Sequence, residues 1–230
     1  MDFDGPAIQG TEGGAGSPDS LTIRSATQNL RLNLTQAMPT TSAAIVVEEV
    51  TNVVPGDIMI ITDCEAADVF QVTNAQSGSS AIVHNTGGGQ SPGNATKDFS
   101  RSYGPSATTY TAREKDYTIG TTAEGEPALV RTVNGDAQVL VAGVQGMQLT
   151  YGVDSDNDET VNVYVQANDV ADWDDVLAVR VALLLRSRDD NVVDTTQTYY
   201  FPGPDDAQAA PDRRLYQAFN ATATIRNRLP

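Results

Sequence analysis

Apolar and polar positions alternate with a period of two in one short segment after another of this chain. That is the pattern of strands with one face buried. Ser20-Leu-Thr-Ile-Arg-Ser opens the series, and residues 44–51, 57–62, 69–73 and 81–84 continue it, rich in β-branched side chains and punctuated by Pro55-Gly56 and Ser77-Gly78. Such punctuation is what hairpins and meanders require. Strand patterns resume at 107–111, 117–122 and 128–132. Val133-Asn134-Gly135-Asp136 then supplies a two-residue hairpin signal leading into 138–142. Residues 143–153 and 161–166 read as two further strands. Residues 176–185 form a nearly continuous apolar run broken by Arg180; its valines, and the Asp172-Trp-Asp-Asp turn before it, predict a central strand preceded by a single helical turn. Segments 192–200 and 213–228 close the chain, the last alternating at Phe219, Ala221, Ala223 and Ile225. With no long amphipathic helix in the pattern, the fold class it predicts is mainly β, antiparallel sheets joined by long loops.

Residues 1–19 are rich in Gly, Pro, Ser and Asp and read as an open, flexible N-terminal segment. The rest, 20–230, reads as one β-rich domain. The Gly-, Ser- and Asn-rich stretch 87–105 reads as a long surface loop, or as a soft boundary between two halves of this domain. At 230 residues the chain is long enough to bury a substantial core without a metal or disulfide.

Charge narrows the function classes. Thirty acidic against fourteen basic residues give a formal net charge of -16, which repels phosphate backbones and anionic membrane surfaces, so no nucleic acid is expected as a partner. Eight carboxylates fall between Asp154 and Asp175 with no Lys or Arg among them, whereas Arg213, Arg214, Arg226 and Arg228 follow with no acid after Asp212. The general reading is a solvated acidic face and a separate basic edge. No apolar stretch approaches the roughly 20 residues that span a bilayer, and no signal peptide is visible at the polar start. The one cysteine, Cys64, has no partner for an internal disulfide.

Candidate chemistry concentrates in the acidic stretch. Asp154, Asp156 and Asp158 place side-chain oxygens at positions 1, 3 and 5 of a calcium-type loop, so Ca²⁺ is the one ion this sequence suggests. The position that ordinarily takes Gly is Glu159, however, and the one that supplies a bidentate Glu is Val165, leaving Asp169, Asp172 or Asp175 to complete the site. The competing reading is an acidic turn between strands. Trp173, flanked by Asp172 and Asp174, reads as a cap on the edge of a core or as an exposed recognition residue. Catalytic arrangements find little support: His84 is the only histidine and reads as a solvated loop residue, the aromatic content is low for a sugar site, and Gly87-Gly-Gly89 lacks the Lys of a phosphate loop.

Several segments together resemble the PilW family of type IV pilus minor pilins. Gly143-Val-Gln-Gly-Met-Gln-Leu-Thr-Tyr-Gly-Val-Asp154 is similar to that family's strand and turn before an Asp-rich loop, and Asp172-Trp-Asp-Asp-Val-Leu-Ala-Val-Arg-Val-Ala-Leu-Leu-Leu-Arg-Ser187 to its most recognisable strand. Arg214 through Phe219 to Thr224-Ile-Arg-Asn-Arg-Leu-Pro230 resembles the family ending. Upstream, Ser20-Leu-Thr-Ile-Arg24, Gly56-Asp-Ile-Met-Ile-Ile-Thr-Asp-Cys64 and Phe70-Gln-Val-Thr73 also match. The resemblance implies a pilin-like head domain without the N-terminal pilin helix and with no enzymatic activity. It implies association with other minor pilins and the major pilin to prime pilus assembly near the filament tip, at the periplasmic face of the inner membrane and in the extracellular pilus. The whole form would be membrane-anchored before assembly. It further implies a disulfide from Cys64 to a partner outside this chain. Trp173, Asp174, Asp175, Arg226 and Arg228 are the expected interaction surface. The alternative from composition is a secreted calcium-dependent adhesion or carbohydrate-binding module, with an acidic hydrolase built on paired carboxylates weaker still.

Overall fold

The computed structural model describes residues 5–14, 16–87, 89–133 and 135–225. Among these, sixteen strands carry the fold and helix is limited to two 3-10 turns, Ala167–Asp169 and Trp173–Asp175. Eleven strand pairings are antiparallel, and the described chain is mainly β, as the period-two pattern predicts. The described residues form two compact units, 24–114 and 5–23 with 115–225.

The first unit holds β3 (Ile45–Val46), β4 (Ile58–Thr62), β5 (Ala67–Gln71), β6 (Asn74–Ala75) and β7 (Ala81–Val83), with parts of two long strands, β2 (Ser20–Asn33) and β8 (Thr108–Thr121). Its core gathers Ile45, Val47, Met59, Ile61, Phe70, Val72, Ile82, Phe99 and Tyr103. Loop 87–105, read from sequence as a soft boundary, lies inside this unit. Its Gly and Ser content hid the anchors. Gln71, buried on β5, donates to the Ser91 and Gly56 carbonyls and accepts from the Gly93 N–H. Asn94 in turn bonds both the N–H and the C=O of Gln71. A buried amide that satisfies all its groups fixes the loop it touches.

His84 departs from its expected solvated position. It is almost fully buried, its Nε2 donates to the Ala43 carbonyl at 2.9 Å, and its ring stacks on Phe99 with centroids 4.0 Å apart. It follows the Ala-Ile-Val of β7 onto the core face, which outweighs the polar Asn and Gly run after it. Burial pushes its pKa below the ordinary value.

The second unit is built on β11 (Val144–Val153), β12 (Val163–Val165), β13 (Val176–Arg186) and β16 (Tyr216–Thr224), a four-stranded sheet in the order β12-β11-β13-β16. Val176–Arg186 is central, as its continuous apolar run predicts. One face carries Met147, Leu149, Tyr151, Val179 and Val181 into a core shared with Ile8 and Trp173. The other face packs Ala182, Leu184 and Tyr216 against Tyr199 and Phe201 of the short hairpin β14 (Thr198–Tyr200) and β15 (Ala207–Ala209). The hairpin β9 (Pro127–Val133) and β10 (Asp136–Ala142) has the two-residue connection predicted, with Val133 opposite Asp136 and Gly135 at φ +96°.

Residues 1–19 contain more structure than their composition suggests. Ile8–Thr11 forms β1 against residues 20–23 of β2, with Ile8 in the core. Asp19, also buried, accepts from the N–H groups of Gly13 and Leu149, tying this segment to β11. The sequence presents β1 as four residues in a Gly-rich surround, too short to show a period.

Candidate functional site

The acidic stretch folds as a turn organised around one side chain. Asp154, at the end of β11, is nearly buried, and its Oδ1 accepts from the N–H groups of Asp156, Asn157 and Asp158 while Oδ2 accepts from Glu159 at 2.8 Å. Burial raises its pKa, but these four backbone donors outweigh it and leave the group below the ordinary carboxylate range. Asn157 and Glu159 sit at φ +60° and +65°. Glu159 therefore adopts the left-handed conformation that a glycine ordinarily supplies at this point of a calcium loop. The backbone reaches the shape despite the wrong residue type.

Asp154, Asp156 and Asp158 do converge: one carboxylate oxygen from each lies within 4.8 Å of the others. Among the described residues, Asp169, Asp172 and Asp175 do not join them. Three carboxylates fall short of the six to eight oxygens that Ca²⁺ takes, so backbone carbonyls and water would have to supply the rest. Asp158 also accepts from the N–H of Thr160, and a carboxylate offers only about four lone-pair directions. Asp154 gives Oδ1 wholly to the turn and one of the two lone-pair directions of Oδ2.

Trp173 opens the second 3-10 turn, which Asp172 caps by accepting from the Asp174 N–H at 2.9 Å. The Trp173 ring is half-buried, edge-on to Tyr151 with centroids 4.8 Å apart at 79°. Of the two readings of this side chain, the core-edge cap is the one the packing matches. Asp174 is exposed and Asp175 half-buried; the Asp175 carbonyl accepts from the Asp154 N–H, so the acidic loop and this turn are stitched together. Arg226 and Arg228 lie outside the described residues. Arg180, on the opposite face of β13 from the Tyr151 core, lays its guanidinium 3.4 Å from the Tyr164 ring centroid. No sequence signal pairs these two, because their contact depends on the sheet register.

Cys64 is exposed in the tight turn between β4 and β5, at φ +69°, with its N–H donating to Thr62 Oγ1. The turn also orders Asp63, which accepts from the N–H groups of Glu65 and Ala66.

These features define a β-sheet domain that offers ordered acidic turns and open strand edges at its surface. The family model of type IV pilus-assembly protein W, PilW, matches residues 116–227, a match that supports a PilW-family assignment for the C-terminal part of the chain. No curated protein and no solved structure matches it. The matched region contains the acidic turn, Trp173, β13 and β16. The upstream segments resembling the family, at 20–24 and 56–73, lie outside it. PilW is a family of type IV pilus assembly, so the match supports a part in pilus assembly, at the cell envelope and together with other pilus components.

Proposed function

We propose that this chain is the head of a minor pilin, a non-enzymatic subunit that associates with other minor pilins and with the major pilin to prime type IV pilus assembly near the filament tip. The observation that carries this reading is the family match over 116–227, which spans the four-stranded sheet and its acidic connection. The mechanism is association: loops and strand edges of the head are buried against neighbouring subunits at the periplasmic face of the inner membrane and then in the extracellular pilus. The acidic surface at Asp154–Asp175 and the Arg-bearing C-terminus have opposite charge, which sets register and partner choice more than affinity. Asp174, with Asp175 and the half-buried Trp173 behind it, is the described part of that surface. The exposure of Cys64 on its turn supports a disulfide to a cysteine outside this chain.

The test is pull-down of purified heads of the other minor pilins from the same system, with wild type, Asp174→Ala and Arg226→Ala. Capture by wild type that weakens in either variant supports the surface. Unchanged capture in both removes these residues from the interface, and no capture by wild type removes the minor-pilin reading. Mapping the disulfides of the whole oxidised protein tests Cys64, for which a free thiol counts against pairing.

A further inference from the structure

We infer that β16 is a docking edge that accepts an extended strand from another protein, extending the sheet to β12-β11-β13-β16-partner. The inference rests on the pilus-assembly reading only for where the partner is sought.

The backbone directions follow from bonds at both ends of the strand. Ile225 donates its N–H to the Leu177 carbonyl on β13 at 2.8 Å, and the Ser187 N–H bonds the Leu215 carbonyl. Successive residues of an antiparallel strand point their N–H and C=O groups to opposite sides. Gln217, Phe219, Ala221 and Ala223 therefore bond toward β13, and Ala218, Asn220, Thr222 and Thr224 point theirs away from the sheet. Tyr216, of the same parity, agrees: its N–H donates to Gln197 Oε1 and its carbonyl accepts from Gln197 Nε2. Among the described residues, no other strand pairs with this side from Ala218 to Thr224.

Edge strands are ordinarily blunted by charge, proline, bulges or shortness, and the other edges here show such devices. At the far side of the same sheet β12 is three residues long, and β10 carries a bulge between Val139 and Val141. In contrast, β16 runs nine residues with no charged residue and no proline, in unbroken register with β13 from Ala178 opposite Thr224 to Arg186 opposite Tyr216.

The side chains say what would cover it. Cross-strand rows on the core face run Met147-Leu183-Phe219, Leu149-Val181-Ala221 and Tyr151-Val179-Ala223. They end at β16, where Phe219 is 48% exposed and Ala221 and Ala223 are exposed as well. Among the described residues, the apolar face thus continues to the last strand without a neighbouring strand to close it. The occupant is a strand with alternating side chains, large apolar ones beside Phe219, Ala221 and Ala223 and polar ones beside Asn220 and Thr222, which border an open groove of about 490 Å³. A second copy of this chain fits poorly, since each copy brings a net charge of -16. The partner is a different, neutral or basic protein.

Two variants test the edge without disturbing β13. Thr222→Pro removes an outward N–H, a position where an edge strand tolerates proline, and Ala221→Lys adds a charge. Affinity for purified pilin heads of the same system is expected to fall at least about tenfold in both, with the unfolding temperature within about 3 °C of wild type. Amides of Ala218, Asn220, Thr222 and Thr224 are expected to gain hydrogen-exchange protection in the complex. Undiminished binding in both variants, or unchanged exchange at all four amides, overturns strand addition while leaving pilus assembly standing. In a second arm an alternating Val/Thr octapeptide flanked by lysines is titrated and followed by amide NMR. Shifts confined to β16 support the docking edge even if no pilin head binds, in which case the pilus partner is what fails. No shift there overturns the edge itself, as does self-association through β16 in sedimentation.

Discussion

Removing a single oxygen from the core of the second unit is expected to stabilise it. Tyr151 is fully buried on the core face of β11, and among the described residues its hydroxyl has no hydrogen-bond partner. Burial pushes the phenol pKa up, and the nearby Asp19 and Glu12 carboxylates push it further, so the group stays neutral throughout the working range. A buried hydroxyl left unpaired costs about 1–3 kcal/mol. Deleting it leaves a gap smaller than a methyl group, for which about 1 kcal/mol is an upper figure. Tyr151→Phe should therefore gain about 0.5–2 kcal/mol, or roughly 1–8 °C for a chain of this size. Trp173 is the only tryptophan and lies edge-on to this ring, so its fluorescence in urea reports unfolding of this unit directly. A converse probe is Gly10→Ala. The added Cβ would collide with the Tyr151 hydroxyl and ring, and overpacking of a closed core costs about 1–3 kcal/mol. The double variant should recover part of that loss, because the hydroxyl is the nearest atom but ring carbons follow it. A loss of more than about 1 kcal/mol in Tyr151→Phe would refute the reasoning, by showing that the hydroxyl is partnered.

Other consequences follow from the same structure. His84 is held neutral by burial, with its pKa below 6.5 in the folded state; between that lowered value and 6.5 the unfolded chain binds more protons, so stability falls as pH drops below about 6.5. Denaturant melts of wild type and His84→Phe should differ in slope there by at most about 1.4 kcal/mol per pH unit, the limit for one proton. Asp154→Ala removes the acceptor of four backbone N–H groups, and hydrogen exchange at Asp156, Asn157, Asp158 and Glu159 should accelerate while β13 keeps its protection. Calcium titration of chelator-treated protein should show no binding tighter than about 10⁻⁴ M, the range of weak extracellular modules, because Asp154 is largely committed to the turn. A tighter site abolished by Asp156→Asn would reverse that. Gln71→Ala should release loop 87–105, read as new protease cleavage within it while β13 stays intact.

Much of this protein is a matter of local pattern. The alternation at Ile58–Thr62, the apolar run of Val176–Arg186, the hairpin before Asp136 and the Asp172 cap all appear in sequence because strands, turns and caps depend on residues a few positions apart. The acidic turn is legible in the same way, down to the convergence of Asp154, Asp156 and Asp158, as is the resemblance to PilW in the segments around Tyr151 and Trp173. What local pattern does not contain is which groups meet across the fold. His84 reads as a solvated loop residue until Phe70, Phe99 and Ala43 close around it. Loop 87–105 reads as a boundary until Gln71 and Asn94 fix it. Phe219, Ala221 and Ala223 alternate as a buried strand should, yet only the strand order shows that β16 ends the sheet and that its core face is left open. Burial and edge position are set by partners distant in sequence, and those partners are chosen by packing in three dimensions.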